Sequence, residues 1–234
     1  MRRVRLFAVG LLGLVVGLLP AGSGNAAPGA PATTPLRVMP LGASSTVGVG
    51  SPGTAGYRQP LLELLTARGI AVDFVGSGSS GPTTLADRDH EGHSGWTAAR
   101  LAEHVERWVR AADPDVVLLH AGTNDLLRGA SVRTVVRRLD LLLDRIFAAA
   151  PDAHVIMAGV WAKLPQRHTL DDQLAGLAAV YRARGKSVIA VPTADLLSRS
   201  DLVDGLHPGP SGYQRIARMW EREIAAYWEG RIMP

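Results

Sequence analysis

The chain has 234 residues, a net charge of +4 and no cysteine. Without cysteine the protein has no disulfides, no thiol nucleophile and no thiolate metal site. Once residues 1–26 are set aside, 22 basic residues face 21 acidic ones, and this net charge of about +1 gives no argument for nucleic-acid binding.

The first 26 residues have the pattern of a secretory signal peptide. Arginines precede a near-continuous apolar run over 6–19, which is too short to span a bilayer comfortably. Residues 24–26 form a small-x-small cleavage site. We therefore expect export with cleavage near Ala26, followed by a flexible leader over 27–35; an uncleaved membrane anchor is the alternative.

Apolar runs typical of buried strands alternate with amphipathic helical patterns along the rest of the chain. In chain order the prediction is strand 36–41, helix 58–68, strand 71–75, helix 97–111, strand 115–120, helix 132–150, strand 154–160, helix 171–184, strand 187–191 and helix 211–228. A Gly/Ser/Thr-rich loop over 76–95 follows the second strand. This alternation predicts one α/β domain over 36–230, with helices on both faces of a parallel sheet and right-handed crossovers.

The polar residues of interest all follow the carboxyl ends of predicted strands. Ser44 comes after the first strand and Gly95 lies in the loop after the second. Asn124 follows the third strand, and Asp204 and His207 lie between the fifth strand and the last helix. Because sites in parallel α/β sheets form beyond these strand ends, we expect the five residues to meet at one edge.

These residue types together are the parts of a serine hydrolase. A serine hydroxyl needs an adjacent base, for which His207 is the candidate, and Asp204 three residues earlier can orient its ring. The backbone N–H groups of Ser44 and Gly95 and the side-chain amide of Asn124 can stabilise an oxyanion. Each of these residues alone could be an ordinary turn or capping residue. The catalytic interpretation depends on finding all of them, in this order, after the ends of successive strands. This chemistry requires no metal and no organic cofactor.

Other motif matches carry less weight. The GxGxxG pattern over 48–53 fits a dinucleotide fingerprint, but it does not directly follow its strand and it contains a proline. The segment around Ser44 lacks the Gly-x-Ser-x-Gly elbow, which disfavours the α/β-hydrolase fold. The sequence HEGH over 90–93 does not match the His-Glu-x-x-His zinc motif, so we expect no metal site there.

Four short blocks resemble those of the SGNH hydrolases, also called GDSL-type esterases and lipases. They are MPLGASST at 39–46, HSGWT at 93–97, GTND at 122–125 and DGLHP at 204–208. The resemblance spans about residues 37–228 and implies a flavodoxin-like, three-layer α/β/α sandwich with a five-stranded parallel sheet. It also implies that Ser44 is the nucleophile of a triad with Asp204 and His207, and that Ser44, Gly95 and Asn124 form the oxyanion hole.

Two further segments, FVGS at 74–77 and HEGHSGW at 90–96, resemble carbohydrate esterase family three, which includes secreted acetylxylan esterases. This implies an extracellular esterase that removes acetyl groups from polysaccharides or small-molecule esters, with no nucleic-acid partner and no stable membrane insertion after cleavage. Two alternatives stay open: a lipase or lysophospholipase for longer acyl chains, and a non-catalytic carbohydrate-binding protein with this fold. The sequence makes no prediction of oligomeric state.

Some positions depart from the family pattern or have two interpretations. Ala43 stands where the family usually has an Asp, so we expect an altered rather than an inactive site. Ser45 adds a second hydroxyl beside the expected nucleophile. Trp96 and Trp161 either line the cleft or belong to the core, and the loop over 76–95 is either a lid or irregular surface.

Overall fold

The computed structural model describes residues 34–232, so the expected signal peptide and nearly all of the leader lie outside the described residues. Within that range the strands are β1 Leu36–Gly42, β2 Val72–Phe74, β3 Gly78–Ser79, β4 Asp89–Gly92, β5 Val116–His120, β6 His154–Ala158 and β7 Val188–Val191. The α-helices are α1 Ser44–Val47, α2 Arg58–Ala67, α3 Ala98–Ala112, α4 Thr123–Leu127, α5 Val132–Ala149, α6 Arg167–Ala183 and α7 Pro210–Ile232, with short 3₁₀ turns at Pro52–Thr54 and Arg199–Asp201.

Five of the described strands form the expected parallel sheet, in the flavodoxin-like order β2, β1, β5, β6, β7. One side of β1 is shared by two strands, because β2 pairs with its first half and β4 pairs in parallel with its last two residues. The short β3 then pairs antiparallel to β4. The predicted α/β sandwich is confirmed, whereas the interpretation of 76–95 as a continuous loop was wrong, since β3 and β4 lie inside it.

Two hydrophobic clusters fill the spaces on the two faces of the sheet. Alternate residues of β5 point to opposite sides: Val117 and Leu119 belong to one cluster, and Val116 and Leu118 belong to the other. Helices α3, α5 and α6 cover the first cluster, while α2 and α7 cover the second. A strand buried on both faces reads as a continuous apolar run, which is why β5 could be predicted from sequence. No helix in the described range is long and apolar enough to cross a membrane.

Some element boundaries differ from the predicted ones. Strand β6 ends at Ala158 rather than at residue 160, because Gly159 begins the turn toward α6. A Cβ at Gly159 would lie 1.8 Å from the Asp171 carboxylate, so any other residue there would have to displace that side chain. Helix α6 starts at Arg167, four residues before the predicted start, where a polar first turn hides the amphipathic pattern.

Three neighbouring strands end side by side and bring their loops together. The register pairs Gly42 at the end of β1 with Gly92 of β4 on one side and with His120 of β5 on the other. A Cβ at Gly42 would lie 2.3 Å from the His120 carbonyl oxygen, so glycine is required for this close approach. The loops that carry Ser44, Gly95 and Asn124 therefore begin at one edge of the sheet.

Candidate active site

Ser44 is the first residue of α1, directly after the turn that follows β1. Its Oγ lies 2.9 Å from Nε2 of His207, a residue 163 positions later in the chain. The carbonyl of Ala43 accepts the backbone N–H groups of Thr46 and Val47, each at 3.1 Å. The nucleophile turn is therefore closed by main-chain hydrogen bonds, although no carboxylate is present at position 43.

Asp204 organises the loop that carries His207. One carboxylate oxygen accepts the backbone N–H groups of Leu206 at 3.0 Å and His207 at 2.7 Å, and the other lies 2.7 Å from Nδ1 of the His207 ring. These contacts, led by the one with the His207 side chain, lower the pKa of Asp204 to about 2. Asp204 is therefore ionised at neutral pH and holds the Nδ1–H tautomer, which leaves Nε2 free to accept a proton from Ser44.

A glycine allows the His207 loop to pack against the loop that follows α1. Gly50 has a φ of +95°, and a Cβ there would lie 2.5 Å from the carbonyl oxygen of Pro208. Within the His207 loop, the N–H of Val203 donates to the carbonyl of His207 at 2.9 Å. Because these contacts hold the main chain around His207, the position of His207 relative to Ser44 depends on close packing.

The two neighbouring serines have different surroundings. Ser45 is buried, and its Oγ accepts the indole N–H of Trp161 at 3.3 Å. Ser44 is half-buried and faces His207. The structure thus joins Ser44, and not Ser45, to the histidine and the aspartate.

Asn124 and Gly95 are placed differently with respect to Ser44. Asn124 lines the same cleft as Ser44, and one N–H of its side-chain amide donates to the carbonyl of Trp96 at 2.9 Å, which leaves the second N–H for a ligand. Gly95 lies in the adjoining exposed turn with a φ of +78°, and its carbonyl accepts a hydrogen bond from Arg128. Among the described residues, those that line the cleft do not include Gly95.

The cleft around Ser44 is small, with a cavity volume of about 10 Å³. Its lining comes from the ends of β1, β5 and β6 and from the histidine loop, and consists of Ala43, Ser44, Ser45, His120, Thr123, Asn124, Trp161, Ala162, Leu206 and His207. Larger cavities of about 270, 250 and 460 Å³ lie elsewhere on the described part of the chain and are lined by none of these residues. A cavity of about 10 Å³ is close to the minimum that holds one water molecule.

A family model provides the deciding comparison. The model of the GDSL-like lipase/acylhydrolase family matches residues 41–215, which include Ser44, Asn124, Asp204 and His207. The chain belongs to the GDSL-like lipase/acylhydrolase family. The expected resemblance to the SGNH hydrolases is thereby confirmed.

Two solved structures and one further relative that are similar to this GDSL-like protein are esterases. A family 3 carbohydrate esterase from Clostridium thermocellum is 35% identical with a TM-score of 0.74, covering 81% of this chain and 94% of that one. A carbohydrate esterase family 3 structure from Talaromyces cellulolyticus is 25% identical with a TM-score of 0.69, covering 83% and 99%. A multidomain esterase from Ruminococcus flavefaciens is 28% identical over 225 residues, 82% of this chain, and the chain spans 29% of that protein's length.

Two buried carboxylates of the GDSL-like protein support the site, and sequence reasoning assigned a role to neither. Asp125 accepts the backbone N–H of Ala98 at 2.9 Å and the guanidinium of Arg138 at 2.7 Å, which ties α4 to α3 and α5. Glu91 is fully buried and accepts two hydrogen bonds from Ser77. Asp125 lies in the GTND block beside Asn124, and Glu91 lies in the HEGHSGW segment that contains Gly95. Their place in these segments was the only sign in the sequence that they belong to the site.

Glu91 also fixes the turn beside the cleft. Its Oε1 lies 2.6 Å from Nε2 of His93, and the His93 ring packs against both Trp96 and Trp108 with a centroid separation of 4.4 Å to each. Since the carbonyl of Trp96 holds Asn124, this stack connects the buried carboxylate to the amide at the cleft. Trp96 is therefore partly buried against the core cluster and does not line the cleft.

The histidines of the segment 90–93 do not share a ligand site. His90 contacts the Ser80 hydroxyl at 2.8 Å and accepts the N–H of Gly92, while His93 pairs with Glu91. Among the described residues, no group of three or more His, Asp or Glu side chains is arranged to hold a metal ion.

Proposed function

We propose that this protein is a serine esterase that hydrolyses short-chain, mainly acetyl, esters on carbohydrates through an acyl-enzyme. The observation that carries this proposal is the hydrogen-bonded chain from Ser44 Oγ through His207 to Asp204. It supports the catalytic roles that the sequence analysis expected for the three residues.

The geometry suits a two-step acyl transfer. Nε2 of His207 takes the proton of Ser44 as Oγ attacks the ester carbonyl carbon, and then gives that proton to the departing sugar oxygen. In the second step a water molecule gives a proton to His207 and attacks the acyl carbon, and His207 then returns that proton to Ser44 Oγ as acetate leaves. Asp204 remains ionised and stabilises the imidazolium that forms in each step.

The negative charge that develops on the carbonyl oxygen needs preorganised donors. Ser44 lies at the start of α1, where backbone N–H groups have no partner within the helix, so its own N–H is one donor. Asn124 supplies the second from its remaining amide proton. We assign the third to the N–H of Gly95, as the resemblance to the SGNH hydrolases implies.

The size of the cleft and the comparisons support the substrate class. A cavity of about 10 Å³ beside Ser44 has room for about one water-sized group, which favours a short acyl group over the long chains of the lipase alternative. The two structural relatives described above are named as carbohydrate esterases. The signal-like segment over 1–26 supports export, so we propose that the protein acts outside the cell on acetylated polysaccharide.

The test is hydrolysis of p-nitrophenyl acetate and of acetylated xylan by the purified protein, with Ser44→Ala beside Ser45→Ala as a matched control. Loss of the nucleophile should lower turnover by at least about 10³-fold, whereas Ser45→Ala should keep most of it. Wild-type turnover in Ser44→Ala would refute the proposal. Binding of acetylated xylan without acetate release in the wild type would favour the non-catalytic alternative.

A further inference from the structure

The aromatic rings of His120 and Trp161 form a flat pair beneath the nucleophile turn. Their ring centroids are 3.4 Å apart and their planes differ by 7°. His120 is the last residue of β5, and Trp161 follows the end of the adjacent β6. Both rings are buried and both line the cleft that contains Ser44.

This pair is held rigidly in place. The Trp161 indole N–H donates to the hydroxyl of Ser45, the neighbour of Ser44. On its other side Trp161 belongs to the core cluster that α2 and α7 cover. Protein cores are close-packed, so a buried side chain moves only if its neighbours move too. A ligand therefore cannot push the Trp161 indole aside at low energetic cost.

The His120 ring behaves as an uncharged wall of the cleft. Burial lowers the pKa of His120 to about 3, so the imidazole is neutral at the pH where esterases are assayed. Neither ring nitrogen has a hydrogen-bond partner among the described residues. The contact that positions the ring is therefore its stacking on Trp161.

We propose that the His120–Trp161 pair is the floor of the acyl pocket and sets the acyl-length limit of the enzyme at about two carbons. The inference rests on the proposed function and adds the residues that determine its acyl selectivity. With about 10 Å³ free beside Ser44, the methyl of an acetyl group fits, and a longer acyl chain that points toward the floor meets one of the two rings. A single methylene is commonly worth about 10- to 200-fold in discrimination.

The experiment measures kcat/KM for p-nitrophenyl acetate, butyrate and octanoate in the wild type, His120→Ala and Trp161→Ala. The readout is the ratio of acetate to butyrate turnover, which does not depend on the amount of active protein. We expect a wild-type ratio of at least about 10 and a decrease of at least about tenfold in both variants, because kcat/KM for butyrate rises relative to acetate.

Two further variants separate the effect of a flat ring at the pocket floor from the effect of removing any aromatic side chain near the site. His120→Phe keeps a flat ring at the floor and should retain the wild-type ratio. Trp96→Ala removes an indole near the site that does not line the cleft, and should also leave the ratio unchanged. If Trp161→Ala does not fold, as shown by circular dichroism, the milder His120→Ala and His120→Phe pair decides the question alone.

The outcomes distinguish this inference from the proposed function. An active wild type whose acetate preference persists in folded His120→Ala and Trp161→Ala overturns the inference and leaves the proposed function standing. A wild type that hydrolyses octanoate as fast as acetate also overturns it. A wild type that hydrolyses none of the three esters and no acetylated xylan overturns the proposed function, and this inference with it.

Discussion

Trp161 donates its indole N–H to the hydroxyl of Ser45 over 3.3 Å, and this contact turns the second serine of the nucleophile turn toward the core. Ser44, one residue earlier, faces the opposite way and lies 2.9 Å from His207. Two adjacent hydroxyls thus have different chemical surroundings: one is tied to an indole, and the other is next to a base. The structure therefore assigns the nucleophile of the proposed reaction to Ser44.

Asp204→Asn should lower kcat by at least about tenfold and change KM little, because the substituted amide no longer stabilises the imidazolium. The loss should stay below the about 10⁴-fold seen when a buried triad carboxylate is replaced, since the Asp204 side chain is 53% exposed and water can partly take its place. Steady-state kinetics on p-nitrophenyl acetate measure both constants.

Asp201 provides the matched control for this variant. It is buried three residues before Asp204, and it accepts hydrogen bonds from Ser198 and Ser211 rather than from His207. Asp201→Asn should therefore reduce the free energy of unfolding by about 1–3 kcal/mol with little effect on kcat. An equal loss of kcat in the two variants would contradict the assigned role of Asp204.

Asn124→Ala should lower kcat by about 10²–10³-fold with a small effect on KM, because an oxyanion donor stabilises the transition state more than the bound ester. The side chain already has a fixed orientation through the Trp96 carbonyl, so the donor is preorganised. A decrease in kcat smaller than about tenfold would show that Asn124 is not an oxyanion donor.

Glu91→Gln should destabilise the protein by about 1–3 kcal/mol, since a fully buried carboxylate with three hydrogen bonds is replaced by an amide that cannot accept all of them. Urea denaturation measures the change. The control is Glu106→Gln, which removes an exposed ion pair with Arg110 and should cost less than about 1 kcal/mol. Equal effects of the two substitutions would contradict the structural role of Glu91.

Three buried histidines should make the protein less stable in mild acid. Burial lowers the pKa of His120 to about 3 and the pKa values of His90 and His154 to about 4, from an ordinary value near 6.5. Below about pH 6.5 the unfolded chain binds protons that the folded chain excludes, so the free energy of unfolding falls. The stability from these groups is complete above pH 6.5 and is lost progressively toward pH 4.

Urea denaturation at about pH 7.5, 6 and 5 checks this expectation. Each fully excluded proton contributes a slope of up to about 1.4 kcal/mol per pH unit. His120→Phe removes one of the three groups, so its free energy of unfolding should depend less steeply on pH. A wild-type stability that does not change between pH 7.5 and 5 would contradict the burial of neutral histidines.

The sheet and the order of the site residues were predictable because they depend on local patterns. The apolar runs of β1, β5 and β6 mark strands that are buried on both faces, and the polar segments after them mark the active edge. Strands β3 and β4 were missed because the Gly- and Ser-rich segment 76–92 lacks apolar alternation. Strand β4 is specified instead by its pairing with the end of β1, a contact between distant parts of the chain.

The surroundings of the site were less predictable than its catalytic residues. Sequence left open whether Trp161 belongs to the cleft or to the core, and the structure shows that it belongs to both. The roles of Glu91 and His120 depend on which side chains meet across the sheet, and no spacing along the chain encodes those contacts. Position 43 is the opposite case, because the sequence drew attention to it. Ala43 replaces the usual Asp of the family, yet the turn is closed by main-chain hydrogen bonds that need no carboxylate.

The central claim is that Ser44 forms the covalent intermediate, and covalent labelling tests it most directly. The purified protein is treated with a serine-reactive p-nitrophenyl methylphosphonate ester, and the adduct is located by peptide mass spectrometry. The account predicts one adduct on Ser44, with no labelling in Ser44→Ala and greatly slowed labelling in His207→Ala. An adduct on Ser45, or full ester turnover in a protein whose Ser44 carries the adduct, would contradict it.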